Sequence, residues 1–277
     1  MEWMHAAGNT WFVDLKDALA AICITGSGEA VLIDSGREER QELLTGLEAR
    51  GLRVRAVLCT HLHRDHTANN LLLHTRHGAE IFATQAQIND REEVIPYPIT
   101  TLGEEGGSVT IGGAVFESLP TPGHTPGQLA FVTPDGVCCV GDALLTLRRL
   151  AKAKLPYLED VDTAIATMEA LRQTDYPLYL ASHDGLISRQ ELWETVEENI
   201  EKELEVYRQL RDLVQRPMAM DALVTAFMTS IGIRRSDVLQ DVSYRATIRR
   251  RVESLVRAGE VGQRGGILFP IKNRSDR

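Results

Sequence analysis

Residues Thr60 to His66 read Thr-His-Leu-His-Arg-Asp-His and follow the apolar run Val54 to Cys59 directly. A short continuous apolar run is the pattern of a strand buried on both faces, so this loop must form where such a strand leaves the core. In extended chain the side-chain direction repeats every two residues, which points His61 and His63 the same way. Asp65 continues that side. A turn toward a helix at Thr67-Ala68-Asn69-Asn70 would bring His66 round beside it. One loop can thus offer imidazole and carboxylate donors to two neighbouring metal positions, a donor set suited to zinc, iron or manganese. The chain has eight histidines in all, and three of them fall in the six residues His61 to His66, so a merely solvated histidine loop is the weaker reading.

Four donors from one loop cannot complete two sites, so other parts of the chain must contribute. His124 lies in Thr-Pro-Gly-His-Thr-Pro-Gly, and taken alone it reads equally as a turn residue or a ligand. Asp142, in Gly-Asp-Ala-Leu, would by itself be a turn or cap former. His183, in Ala-Ser-His-Asp-Gly, is again an even choice. All three follow an apolar strand-like run, as Thr60 to His66 does, and strand ends are where sites are commonly built.

The same rhythm of apolar runs and turns extends over the first 185 residues or so. Strands are expected at Leu19 to Thr25, Glu29 to Ile33, Val54 to Cys59, Ala79 to Ala83, Ser108 to Ile111, Ala114 to Leu119, Leu129 to Thr133, Val137 to Val140 and Leu178 to Ala181. Helical spacing marks Arg40 to Arg50 and Asp160 to Gln173. Mixed strands and helices with central hairpins give an α/β fold, sheets covered by helices on the outside. Glu191 to Val214 reads as a long charged connector helix. From Arg216 onward the pattern gives three short helices, Asp221 to Thr229, one capped by Ser236, and Val242 to Arg257, then a hairpin over Val261 to Ile271; this is the order of a winged helix. The expected units are 1–190, 191–215 and 216–277.

Charge divides along the same line. The net charge is −9, yet the stretch from Arg216 carries 12 Lys/Arg against 6 Asp/Glu, +6, which leaves −15 for the rest. An acidic whole argues against a chain that coats nucleic acid or anionic membrane over its entire surface. Cys23, Cys59, Cys138 and Cys139 sit inside apolar runs with no Cys-x-x-Cys spacing, which makes them small buried hydrophobes. No basic-then-apolar leader and no apolar run of about 18 residues is present, so a cytoplasmic location with no membrane association is expected.

At these residues the chain resembles the metallo-β-lactamase superfamily of hydrolases. His61 to His66 match its His-x-His-x-Asp-His motif in full, and His124, Asp142 and His183 match its later ligands in order. The resemblance covers about residues 10 to 190 and implies an αββα sandwich. It also implies two divalent metal ions per chain, zinc first, with iron or manganese as alternatives. His61, His63 and His124 would hold one ion, Asp65, His66 and His183 the other, and Asp142 would bridge them. Asp34, in Leu-Ile-Asp-Ser-Gly, fits the strand-end aspartate that supports such a site by orienting a ligand histidine.

Two metals about 3.5–4 Å apart can share a hydroxide and polarise a substrate oxygen, with Asp65 orienting the nucleophile and accepting a proton. True β-lactamases of the superfamily this chain resembles usually lack an aspartate at the Asp142 position and some use a cysteine ligand, so the resemblance sets antibiotic hydrolysis aside. Pro122 to Gln128 resembles the glyoxalase II-like branch, so the expected reaction is cleavage of a small acyl substrate, a thioester or a lactone. The alternatives are a phosphodiesterase or nuclease working through Arg245, Arg249 and Arg250 of the basic tail, and a mononuclear-iron sulfur dioxygenase. A role for the tail in shaping the pocket or in a homodimer contact ranks above nucleic-acid binding, since arginines on a helix are most often a solvated face. Pro96-Tyr97-Pro98 and Lys154-Leu155-Pro156-Tyr157 are read first as surface packing and second as pocket lining.

Overall fold

The central strands carry apolar side chains on both faces, so each sheet must be covered twice. In β4 (Glu29–Ile33), Ala30 and Leu32 face one way and Val31 and Ile33 the other, and all four are buried. The computed structural model describes residues 1–271 apart from Asp17, Ser27, Glu39, Glu92 and residues 234–237.

The first sheet has β1 (Trp3–Ala7), β2 (Thr10–Asp14), β3 (Leu19–Gly26), β4, β5 (Arg53–Leu58), β6 (Glu80–Thr84) and β7 (Thr100–Leu102) side by side in chain order. It is antiparallel from β1 to β4 and parallel from β4 to β7. Parallel pairs need crossovers, supplied by α1 (Gln41–Glu48), by α2 (Arg64–Thr67) with α3 (Asn70–His77), and by α4 (Gln85–Asp90). The second sheet runs β13 (Gly185–Ser188), β12 (Leu178–Ala181), β11 (Val137–Gly141), β10 (Leu129–Val132), β9 (Ala114–Pro120), β8 (Gly107–Ile111). Its one parallel pair, β11 with β12, is bridged by α5 (Leu147–Leu150) and α6 (Val161–Arg172). Asp160 caps α6 through the amide of Thr163 at 3.0 Å.

Three apolar layers follow. Phe12, Val31, Ile33 and Leu58 of the first sheet meet Phe116, Phe131, Cys139 and Leu180 of the second. The outer face of the first sheet packs on Leu43, Leu47 and Leu73 of α1 and α3, and that of the second on Ala164, Met168 and Leu171 of α6. This is the expected αββα sandwich. All four cysteines are free and buried.

The long helix α7 (Leu192–Leu213) belongs to two cores: Leu192 and Val196 pack with α6, while Val206 and Leu210 pack with the C-terminal residues. There α8 (Met220–Ser230) and α9 (Val238–Arg257) bury Phe227, Ile248, Val252 and Leu255. The hairpin β15 (Val261–Arg264) and β16 (Ile267–Pro270) forms as its Arg264-Gly265-Gly266 turn suggests, and β14 (Met218–Ala219) adds to β16. A separate helix ending before Val242 is not what forms: α9 is continuous from Val238, and the expected cap Ser236 lies outside the described residues. Among the described residues, no helix is long and apolar enough to cross a membrane.

Candidate metal centre

Five loops leave the carboxyl ends of β4, β5, β9, β11 and β12 on one side of the sandwich, and each carries one or more of the polar residues singled out above. The structure brings all of them together. His61, His63 and His124 form one group of converging donor atoms; His61, His66 and Asp142 form a second; Asp65, His66 and His183 form a third, each within 4.8 Å. His63 Nδ1 lies 3.0 Å from both His61 Nε2 and His124 Nε2. Asp142 spans the halves, with Oδ2 3.1 Å from His183 Nε2 and 3.4 Å from His124 Nε2.

The opposite nitrogens explain why these rings point inward. His66 Nδ1 donates to Asp34 Oδ2 at 2.8 Å, which turns Nε2 inward. Asp34 also accepts from the amide and hydroxyl of Thr60, both at 2.8 Å. That hydroxyl lies 3.1 Å from His61 Nδ1 and, having given its proton to Asp34, accepts one from the ring. Asp34 adopts a left-handed backbone, φ 59°, which aspartate and asparagine tolerate better than most residues. His124 Nδ1 donates to the carbonyl of Tyr157 at 2.8 Å. The His124 turn is pressed against α6: a Cβ on Gly123, φ 128°, would lie 2.4 Å from the Cα of Ala164.

Electrostatics prepare the donors. Burial, then His66 and the other neighbouring imidazoles, holds His61 well below its ordinary value. Burial and His124 push His63 down to about 3. Burial also lowers His124, with Asp142 opposing. These three rings are therefore neutral, the form that ligates. Burial pushes His66 down too, but Asp142 and Asp34 outweigh it and hold His66 well above its ordinary value. For Asp142, burial favours the acid, and His183, His66 and His124 override it, so the carboxylate is held ionised.

The donor set fits a divalent ion on a second ground. His66 Nε2 and Asp142 Oδ1 are buried and without a hydrogen-bond partner, facing each other at 3.5 Å, too long for a good hydrogen bond. An ion ligated by both would satisfy both.

A family model described as the metallo-beta-lactamase superfamily matches residues 17–183, the stretch that contains every one of these donors. This chain belongs to the metallo-β-lactamase superfamily. Its fold is shared by a metallo-beta-lactamase family protein from Thermus thermophilus, TM-score 0.75 at 22% identity over 95% of this chain and 98% of that one. A beta-lactamase domain protein from Burkholderia ambifaria gives TM-score 0.74 at 16% identity, covering 98% and 94%. Among curated proteins, a hydroxyacylglutathione hydrolase of Thiobacillus denitrificans is 36% identical over 115 residues, 42% of each chain. That of Acidiphilium cryptum is 33% identical over 146 residues, 52% of this superfamily member and 49% of its own length. The chain thus spans about half the length of the curated relatives it matches, and the family and these relatives imply divalent-metal binding.

Beside the centre lies a cavity of about 810 Å³. Its apolar wall is Leu145, Leu155, Pro156, Tyr157, Leu158 and Met168, and Ser243 and Tyr244 of α9 close one side. The Lys154 to Tyr157 segment therefore lines the cavity, contrary to its reading as surface packing. Tyr97 does pack as expected, accepting from Asn70 Nδ2 at 3.2 Å beside the first core. The tail arginines turn toward carboxylates of their own chain: Arg245 to Asp241 at 2.8 Å, Arg249 to Asp221, and Arg250 to Glu159 at 3.4 Å.

Because Asp34 fixes the candidate ligand ring of His66 directly and that of His61 through Thr60, Asp34→Asn is expected to weaken metal binding about 10- to 100-fold, the range for partners of ligands. Asparagine keeps the left-handed backbone and presents one acceptor oxygen where the carboxylate presents two. Zinc competition against a chromophoric chelator measures the change; an unaltered dissociation constant would remove Asp34 from the centre.

Proposed function

We propose that this chain is a metal-dependent hydrolase of small acyl substrates, with a thioester ahead of a lactone. The observation that carries the reading is the convergence of His61, His63, Asp65, His66, His124, Asp142 and His183 on a cavity with an apolar wall. When bound, a pair of zinc, iron or manganese ions supplies an activated water nucleophile and an electrophile for the substrate oxygen. The protein's own contribution is to orient and to move protons. Asp65, with about a third of its side chain open to solvent and its Oδ2 3.7 Å from His183, is placed to orient the attacking water and take its proton. Leu155, Tyr157 and Met168 would exclude bulk water from the acyl group.

Charge favours the thioester. A second cavity, about 500 Å³, opens beside Asp65 and His183 and is lined by Arg37, Arg64 and Arg149 together with Glu38, three arginines against two carboxylates. Lys152 and Lys154 line the larger one. An acyl group against the apolar wall leaves the departing half over these arginines, which suits an anionic thiol; the curated relatives are named for a thioester of that kind. The pairing of Arg245, Arg249 and Arg250 with carboxylates ranks nucleic acid below this reading, and the C-terminal unit, which we place among winged helices, is proposed to shape the pocket.

Metal content of the purified chain, with turnover of S-lactoylglutathione, a lactone panel and bis-p-nitrophenyl phosphate, tests the proposal. About two metals per chain with acyl turnover is the expected result. Cleavage of the phosphodiester alone would replace the acyl reading with a phosphodiesterase, and a single iron without hydrolysis would end it.

A further inference from the structure

We propose that α9 is a positioning element of the metal centre, holding His124 in its ligating orientation through the backbone of residues 156–158. The inference rests on the reading of His124 as a metal ligand. Each link is a direct contact. The ring of His124 is fixed by one outer bond, from Nδ1 to the carbonyl of Tyr157 at 2.8 Å. That carbonyl belongs to an irregular segment with no strand or helix of its own to hold it. Its neighbours on both sides are held by α9. Thr247 Oγ1 donates to the carbonyl of Leu158 at 3.0 Å and accepts from its amide at 3.2 Å. Arg251 Nη2 donates to the carbonyl of Pro156 at 3.0 Å. The side chain of Tyr157 is held by the same helix, since Arg250 Nη1 donates to its hydroxyl at 3.0 Å. The phenol ring then stands 5.5 Å from the His124 ring and 5.6 Å from that of His63, both edge to face.

Thr247 and Arg251 are buried, at 1% and 0% exposure, so the clamp works without competition from water. A carbonyl partner fixes the tautomer and orientation of a ligating imidazole, and loosening it costs metal affinity. The C-terminal unit is therefore coupled to the centre through one helix, one segment and one imidazole.

Thr247→Val removes the hydroxyl and keeps the shape; Thr247→Ser restores it. The full-length chain is titrated with zinc against a competing chelator, and metal-free thermal unfolding is followed in parallel. Val is expected to weaken zinc by up to about 10-fold, the low end of the range for direct partners of ligands because Thr247 acts one residue away from the Tyr157 carbonyl, and Ser to recover most of it. A lowered metal-free melting temperature in Val with the zinc constant of the unaltered protein would overturn the inference, since it would reduce Thr247 to packing. In the unaltered chain, zinc is expected to slow amide exchange at Leu158 and along residues 243–251; slowing confined to the ligand loops would overturn it equally. Absence of zinc binding by the unaltered chain would instead fault the hydrolase reading beneath it.

Discussion

Asp142→Ala is expected to lower turnover by at least about 100-fold, the upper end of what altering even a partner of a ligand does, and to cut bound metal to half or less. Among the described residues, Asp142 is the one carboxylate within 3.5 Å of ring nitrogens from both halves of the centre: His183 at 3.1 Å, His124 at 3.4 Å and His66 at 3.5 Å. Without it two sets of donors remain, His61 with His63 and His124, and Asp65 with His66 and His183, and nothing ties them to a common separation. The fold should survive. Asp142 follows the last residue of β11, and the turn after it is closed by the backbone, Ala143 N to Val140 O at 3.1 Å. An unchanged far-UV circular dichroism spectrum, with metal content and kcat/KM measured on the same sample, separates loss of the centre from loss of the fold. Full turnover in the alanine variant would mean that Asp142 is a buried hydrogen-bond partner and no more. Asp65→Ala is the informative contrast: full turnover with both metals bound would refute the proton-moving role proposed for Asp65.

The donors were legible because each stands where an apolar run ends, and a run buried on both faces leaves its final residue at the sandwich rim. The supporting layer was only half legible. Asp34 stands out as an aspartate closing an apolar strand, but the partner of His124 is a backbone carbonyl, which has no sequence signature. The role of Lys154 to Tyr157 depends on α9 arriving from about 90 residues away, a distance over which periodicity says nothing. The hairpin of β1 and β2 is also poorly marked, since β1 lies at a sheet edge and buries none of its residues fully.

Arg251 is different, because a signal was present. Arg251 directly follows Arg249 and Arg250 of the basic tail, yet helical spacing separates it from them. Ile248, Arg251, Val252 and Leu255 fall at intervals of three and four, which puts Arg251 on the buried stripe. On α7, Asn199, Glu203, Val206 and Leu210 do the same for Glu203. An acid and a base, each on the apolar stripe of its own helix, announce a buried pair.

Arg251→Met is accordingly expected to destabilise the chain by about 3–5 kcal/mol, the cost of stranding a buried charge. Arg251 and Glu203 are 0% and 1% exposed and meet through Nε at 2.8 Å and Nη2 at 2.6 Å. The arginine also serves the carbonyls of Thr247 at 3.1 Å and Pro156 at 3.0 Å, so its loss strands acceptors on two segments. Burial already lifts the Glu203 carboxyl above its ordinary value, with Arg251 opposing. Removing Arg251 lifts it further. A folded-state value above the unfolded one means that the folded form holds the proton more tightly. Stability is then greatest below the unfolded value and falls as pH rises through the folded one. The deficit of Arg251→Met should therefore be large at neutral pH and shrink on acidification, which urea unfolding at a series of pH values measures. Adding Glu203→Leu should return most of the loss, since a buried pair replaced on both sides by apolar groups is often neutral. Recovery of stability without recovery of zinc affinity is the expected pattern for the double variant, because the clamp on Pro156 stays broken. A double variant as unstable as Arg251→Met would show that the contacts to Pro156 and Thr247, rather than the pairing with Glu203, are what Arg251 contributes to stability.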